Sequence, residues 1–202
     1  MKDSFHLMTA ATVFLTNDCN YASFVSNHTT LAGRTRIFML VIARKMNELS
    51  FGKLMEVYVD GNRENGQDCW PNESVDRQIA LAELDFYDYL NQTFFKIPGA
   101  YCAVWQVGGR YVCSLRMEPY QDGLLLEALE TAPDFRRKGY AKCLIQEVFK
   151  HIGRGKVYSH IHRNNLPSLR THEACGFTKI LDHAVYADGS VLSSSITMMI
   201  EL

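Results

Sequence analysis

The run Arg136-Arg137-Lys138-Gly139-Tyr140-Ala141 lies between an apolar stretch and an amphipathic helix, and its reading decides the fold. Upstream, Leu124 to Thr131 reads as a strand that Pro133-Asp134 ends. Downstream, Ala141, Leu144, Ile145, Val148, Phe149 and Ile152 recur at the spacing of one helix face, with Lys142, Gln146, Glu147 and Lys150 opposite. Gly153 and Gly155 supply the stop. A short glycine-containing loop therefore opens a helix just after a strand. Helix N-termini carry free N–H groups and a positive dipole end, yet Arg136, Arg137, Lys138 and Lys142 crowd this one. Cations there oppose the dipole by roughly 0.3–1 kcal/mol each. Two readings follow: a bound polyanion such as a pyrophosphate compensates them, or the loop is a solvated basic turn.

The downstream segment separates the two. A strand, Lys156 to His162, precedes Asn165-Leu-Pro-Ser168-Leu-Arg-Thr-His172-Glu-Ala-Cys-Gly176-Phe177. The pattern Arg136-x-x-Gly139-x-Ala141 resembles the acetyl-CoA pyrophosphate loop of the GNAT superfamily of N-acetyltransferases. The later segment is similar to that family's N-x-x-A/S-x-x-x-Y-x-x-x-G-F run at matching spacing, with His172 where the family commonly has Tyr. The resemblance spans roughly residues 100–202, and residues 1–53 carry none of it.

The resemblance implies a mixed α+β fold of GNAT type: a largely antiparallel central sheet of about seven strands, flanked by helices, with an N-terminal helical extension. The expected division is residues 1–53 for the extension and 54–202 for the acetyltransferase domain. The implied reaction moves an acetyl group from acetyl-CoA to a primary amine of a small molecule or peptide, by direct attack on the thioester. By resemblance, the cofactor-holding residues are Arg136, Arg137, Lys138, Gly139, Tyr140, Ala141 and Lys142. The backbone at Glu130, Thr131 and Ala132 would pair with the pantetheine arm, and Asn165 and Ser168 would contact the cofactor. Asn165 reads equally as a helix cap.

The two catalytic candidates are His172 and Glu127. His172 occupies the position of the thiolate's proton donor. An unperturbed histidine is only about one-quarter protonated at pH 7, so a histidine acid would lose activity as pH rises through its own pKa. The alternative is an inward histidine with a structural hydrogen bond, while water protonates the thiolate. Glu127, in a mostly apolar strand, is the first candidate for the base, with Glu130 next and a water chain the alternative. A bulge would flip the face that Glu127 presents. His160 and His162 share one strand face but lack a third ligand at useful spacing, so no metal is expected.

Elsewhere the periodicity predicts helices over Phe5 to Leu15 and Thr35 to Leu49, a turn-rich stretch from Asn17 to Asn27, and a first strand over Leu54 to Val59. Ser74 reads as the N-cap of a helix running to about Phe95. On that helix Asp85, Asp88, Tyr87 and Tyr89 mark either a wet face or the acid-and-aromatic lining of a cationic-amine site. Gly108-Gly109 joins strands Tyr101 to Val107 and Arg110 to Met117 as a hairpin, followed by a turn over Pro119 to Asp122. Phe177 to Val185 and Leu192 to Leu202 complete the strands around Asp188-Gly189. The extension would pack on the core, or else cover the acceptor site or form a homodimer.

A net charge of −1 argues against nucleic-acid or membrane-surface partners. The longest apolar run, Ile37 to Ala43, is seven residues, far below the ~20 of a membrane span. The N-terminus lacks the layout of a signal peptide. Six scattered cysteines without a C-x-x-C pair read as buried reduced thiols, which points to the cytoplasm. A P-loop hydrolase is excluded because no G-x-x-x-x-G-K-S/T run occurs. The remaining alternative is a non-catalytic acyl-CoA sensor or scaffold of the same fold.

Overall fold

Every neighbouring pair of strands in the central sheet is antiparallel except one, and that exception positions the site. The computed structural model describes residues 25–28 and 36–202. The strands are β1 (Val25–His28), β2 (Arg36–Ala43), β3 (Tyr101–Val107), β4 (Arg110–Tyr120), β5 (Gly123–Thr131), β6 (Lys156–His162), β7 (Thr178–Leu181) and β10 (Ser195–Glu201). They form one eight-stranded sheet in the order β1-β2-β3-β4-β5-β6-β10-β7. A separate two-stranded ribbon pairs β8 (Ala184–Val185) with β9 (Val191–Leu192). The parallel pair is β5–β6, and α4 (Tyr140–Ile152) is its crossover.

One face of the sheet packs beneath α4 through Trp105, Leu115, Met117, Leu144, Ile145 and Val148. The other packs beneath α1 (Phe51–Met55), α2 (Val59–Cys69) and α3 (Val75–Gln92) through Leu54, Tyr58, Phe86, Leu90, Phe94 and Val104. A fifth helix, α5 (Leu166–Glu173), follows β6.

Several local expectations are corrected. Arg36–Ala43 is a strand, not part of a helix over Thr35 to Leu49. Phe38, Leu40 and Ile42 enter one core, while Val41 and Ala43 enter the other. A strand covered on both faces is apolar throughout, which hides its period of two. Leu54 to Val59 is not a strand: Leu54 and Met55 end α1, a turn spans 56–58, and Val59 opens α2. Leu54, Met55, Val57 and Tyr58 are buried while Glu56 is exposed, which is the spacing of a helix stripe. The expected boundary between residues 53 and 54 thus falls inside α1.

β4 continues through Pro119, because β3 pairs with it only as far as Met117 and leaves no ladder bond there for a proline to break. The last two expected strands are each divided, giving the β8–β9 ribbon. The Tyr101–Val107 and Arg110 hairpin, the crossover helix and β6 lie where expected. The expected helix over Phe5 to Leu15 lies outside the described residues, as does most of the turn-rich stretch from Asn17.

Candidate active site

β5 and β6 pair only from Gly123↔Lys156 to Leu126↔Ser159. Ala128 then takes a left-handed backbone, φ 48°, and the β4–β5 register shifts by a residue between Ser114 and Arg116. This bulge bends β5 away from β6, so the backbone edges of residues 127–131 and 160–162 face each other across a wedge. The Tyr58 hydroxyl, buried on the opposite layer, donates to the Ala128 carbonyl at 3.2 Å and steadies the bulge.

α4 begins at the open end of that wedge, since a parallel crossover carries the chain past the C-terminal end of β5. Gly139 caps α4 at φ 80°, and a Cβ built there meets nothing within 4 Å, so the loop faces open space. The first helical bond runs from Cys143 N–H to the Gly139 carbonyl, leaving the Tyr140, Ala141 and Lys142 N–H groups ahead of the ladder. Arg137 is also left-handed, φ 59°, at a cost of about 1 kcal/mol for a side chain other than glycine.

The four cations here differ in their surroundings. Arg136 turns away from the helix end, giving Nε–H to the Thr131 carbonyl at 2.9 Å and Nη1–H to Asp60 at 2.7 Å. Lys138 bonds the Asp134 carbonyl and lies 5.3 Å from the Phe135 ring centroid. Among the described residues, no hydrogen bond or ion pair engages the Arg137 guanidinium or the Lys142 ammonium.

On α5, Asn165 is the N-cap, its Oδ1 accepting from Ser168 N–H at 3.1 Å. His172 is 1 % exposed and stacks edge-on against Phe177. Its Nδ1–H donates to the Ser168 carbonyl at 2.9 Å, and the buried Nε2 has no hydrogen-bond partner. Burial pushes its pKa down to about 4, so the ring is neutral at pH 7. Ser168 Oγ lies 3.4 Å from the same nitrogen.

The sheet face opposite α4 carries the carboxylates. Glu127 pairs with the buried Arg116 at 3.2 Å and keeps a quarter of its side chain exposed. Arg116 is held by the Tyr89 hydroxyl at 2.6 Å and by the rings of Tyr89 and Phe94. Burial raises the Glu127 carboxyl against the pull of Arg116. Glu130 lies 3.4 Å from Arg136 and close to Gly61 at the start of α2. Burial pushes its pKa up to about 8 against the pull of Arg136, so the closer ionic partner of Arg136 is Asp60. Ala132 is buried, its N–H bonded to Val112.

Sequence reasoning passed over Glu118, Arg116 and Tyr186, and took Tyr89 only as part of the acid-and-aromatic mixture on its helix. Two residues along β4 from Arg116, Glu118 presents its side chain on the face that Glu127 occupies. Burial and the Glu127 charge push its carboxyl up to about 7. The alternation of Arg116, Glu118 and Tyr120 was legible, but their nearness to Glu127 depends on register.

His160 is buried at the base of the ribbon, between the Thr197 hydroxyl at 3.1 Å and the Val185 carbonyl at 3.1 Å. His162 accepts from Asn164 N–H at 3.2 Å. Among the described residues no group of three His, Cys, Asp or Glu side chains is placed to hold a metal. Asp88 is exposed and bonded to Gln92, while Asp85 faces Cys69 on α2. Cys102 and Cys113 are buried free thiols, whereas Cys69 and Cys143 are exposed, so burial does not extend to all of them. No helix among the described residues is long and apolar enough to cross a membrane.

Among curated proteins, none matches the chain in sequence. Among solved structures, it is similar to a protein of Pyrococcus horikoshii OT3, with TM-score 0.54, 13 % identity, and 81 % of this chain and 98 % of that one covered. It is similar to a proposed acetyltransferase of Acinetobacter baylyi ADP1, with TM-score 0.53, 14 % identity, and coverage of 84 % and 95 %. A third is the PaiA N-acetyltransferase of Thermoplasma acidophilum in complex with coenzyme A, with TM-score 0.52, 13 % identity, and coverage of 81 % and 99 %. At these identities the likeness is one of fold. The model of the acetyltransferase (GNAT) family matches residues 57–177, more than half of the chain, and the protein belongs to that family.

Proposed function

We propose that this protein transfers the acetyl group of acetyl-CoA to a primary amine of a small molecule or peptide, by direct attack of the amine on the thioester. The observation that carries this reading is the wedge between β5 and β6 opening onto the N-terminus of α4. The edge of β5 that β6 leaves unpaired beyond Leu126 suits an extended amide-bearing arm beside Glu130, Thr131 and Ala132, although the Thr131 carbonyl is taken by Arg136 and both backbone groups of Ala132 by Val112 and Phe135. The Tyr140, Ala141 and Lys142 N–H groups, with Arg137 and Lys142, suit its pyrophosphate. Gly139 lets the backbone approach closely, while Arg136 and Lys138 brace the loop.

His172 stands where the thiolate's proton donor is expected, but a neutral ring with Nδ1–H committed to Ser168 holds no spare proton at pH 7. In this reading water protonates the thiolate, His172 and Asn165 order α5, and a carboxylate near the bulge receives the amine's proton.

The test is thermal unfolding with and without acetyl-CoA, on the wild type and on Gly139→Glu. Ligand at about 100 times its Kd adds about 2.7 kcal/mol, or roughly 5–11 °C for a chain of this size. The wild-type shift is expected to vanish in the variant. No shift in the wild type removes the basis of the acetyltransferase reading. A shift without thiol release from any amine favours an acyl-CoA sensor.

A further inference from the structure

Glu118 and Glu127 occupy diagonal positions on neighbouring strands, because Arg116 pairs with Glu127 in the β4–β5 register and Glu118 with Leu125. Such diagonal Cβ atoms lie about 7 Å apart, close enough for both carboxylates to touch one bound group. Their surroundings differ. Glu127 is tied to Arg116, which Tyr89 and Phe94 fix in place. No hydrogen bond or ion pair holds the Glu118 carboxylate among the described residues, and its side chain is half-buried rather than sealed.

Among the described residues, the charged and titratable groups acting on this pair are Arg116 on β4, Tyr89 on α3 and Tyr186 beyond β8, with Asp188 acting in turn on Tyr186. Tyr186 senses the Glu127 charge and packs on His160 at 5.3 Å. The ribbon bearing it is anchored through Val185 to Tyr120 at 2.5 Å and to His160 at 3.1 Å. Tyr89 thus borders the carboxylates through Arg116, and Tyr186, packed on His160, is near enough for the Glu127 charge to raise its hydroxyl. With Arg116 counted, the group carries one net negative charge when both carboxylates are ionised.

Resting on the acetyltransferase reading above, we propose that the acceptor is an alkylammonium without a neighbouring negative charge, anchored by Glu127, and that Glu118 is the base that takes its proton. One ammonium neutralises the group, whereas an amino acid's own carboxylate would add an anion to a site that already has one in excess. Aromatic walls suit an alkyl body and a cation.

The proton accounting closes. Glu118 takes one proton from the ammonium. The freed amine lone pair then forms the N–C bond as the C–S bond breaks, and the electron pair leaves on sulfur. The second nitrogen proton neutralises the thiolate through water, and Glu118 returns the first to solvent. A carboxyl pushed up to about 7 is well matched to this task near neutral pH.

The experiment measures thiol release from acetyl-CoA by the wild type, Glu118→Gln and Glu127→Gln. The acceptors are straight-chain alkylamines and diamines, ω-amino acids of matched length, and a peptide with one lysine and a blocked N-terminus. Amines without a carboxylate are expected to exceed the matched amino acids by at least ~10-fold in kcat/KM. Glu118→Gln is expected to lower kcat by ~100-fold with KM held, and to abolish the rise of kcat/KM between about pH 6 and 8. Glu127→Gln is expected to act mainly by raising KM. Acetylation of the peptide but not the small amines assigns the source as a lysine side chain, and the reverse assigns it as a small amine.

Equal or better rates with the amino acids overturn the proposal. So does a Glu118→Gln enzyme with unchanged kcat and pH profile, or the absence of turnover with every amine and with the peptide. Each of these leaves the cofactor reading standing if acetyl-CoA still raises the wild-type Tm. Loss of that shift overturns both.

Discussion

A buried histidine in place of a tyrosine changes which proton is available. Tyr carries its proton to pH ~10; His172, neutral from about pH 4 upward, has given its one N–H to the Ser168 carbonyl. The expected outcome for His172→Phe is a kcat within about threefold of wild type across pH 6–9, measured by thiol release under saturating acetyl-CoA. A ~100-fold loss would return the proton-donor role to His172. Glu130 shows the same dependence on surroundings. Its sequence position beside Glu127 made the two interchangeable, yet its carboxyl lies against Gly61 on α2 and Arg136 in the loop. It is a brace between layers, while Glu127 lies beside the second carboxylate.

Among the elements, the bulged β5 does most to create a site. A regular strand would continue its parallel pairing with β6 beyond Leu126, and the wedge would close. The left-handed Ala128 costs about 1 kcal/mol, offset by burial of its side chain and by the Tyr58 hydroxyl bond. Tyr58→Phe is therefore expected to destabilise the protein by about 1 kcal/mol in urea unfolding. It is also expected to weaken acetyl-CoA binding measured by calorimetry, because the carbonyl it steadies lies where β5 parts from β6 and the wedge begins. Unchanged binding would show that the bulge holds its shape without that bond. At the next element, Arg136 reaches back from the loop to Asp60 in the first turn of α2, so the N-terminal end of α4 is fastened to the opposite helical layer.

For the molecule as a whole, buried histidines and buried carboxyls act in opposite senses as pH falls. Burial lowers both His160 and His172 from 6.5 to about 4, so the unfolded chain binds more protons below pH 6.5. Their contribution to stability is fully present above that value and is lost as pH falls toward 4. The expected loss is about 2 kcal/mol for each by pH 5. Glu118 and Glu130, raised by burial to about 7 and about 8, bind protons first in the folded chain and oppose this loss over the same window. The histidine contribution is therefore read as a difference between proteins: from pH 7 to pH 5, His172→Phe is expected to lose about 2 kcal/mol less than the wild type in urea unfolding. Equal slopes in wild type and variant would mean that His172 titrates normally.

Much of this protein was determined by sequence alone. The run from Arg136 to Ala141, the helix periodicity after it and the Asn165 to Phe177 segment are local signals, since capping, helix faces and glycine turns depend on residues a few positions apart. They located the N-terminus of α4, the N-cap at Asn165 and the inward side of His172. Tertiary structure decided what depends on partners distant in the chain. Residues 36–43 became a strand because two cores cover it, and residues 54–59 became the turn joining α1 to α2 because Leu54, Met55, Val57 and Tyr58 are buried together in the core on that side of the sheet. The carboxylate pair exists only through the β4–β5 register: Glu118 and Glu127 are adjacent in space because the turn after Tyr120 and the bulge at Ala128 set which residues face each other.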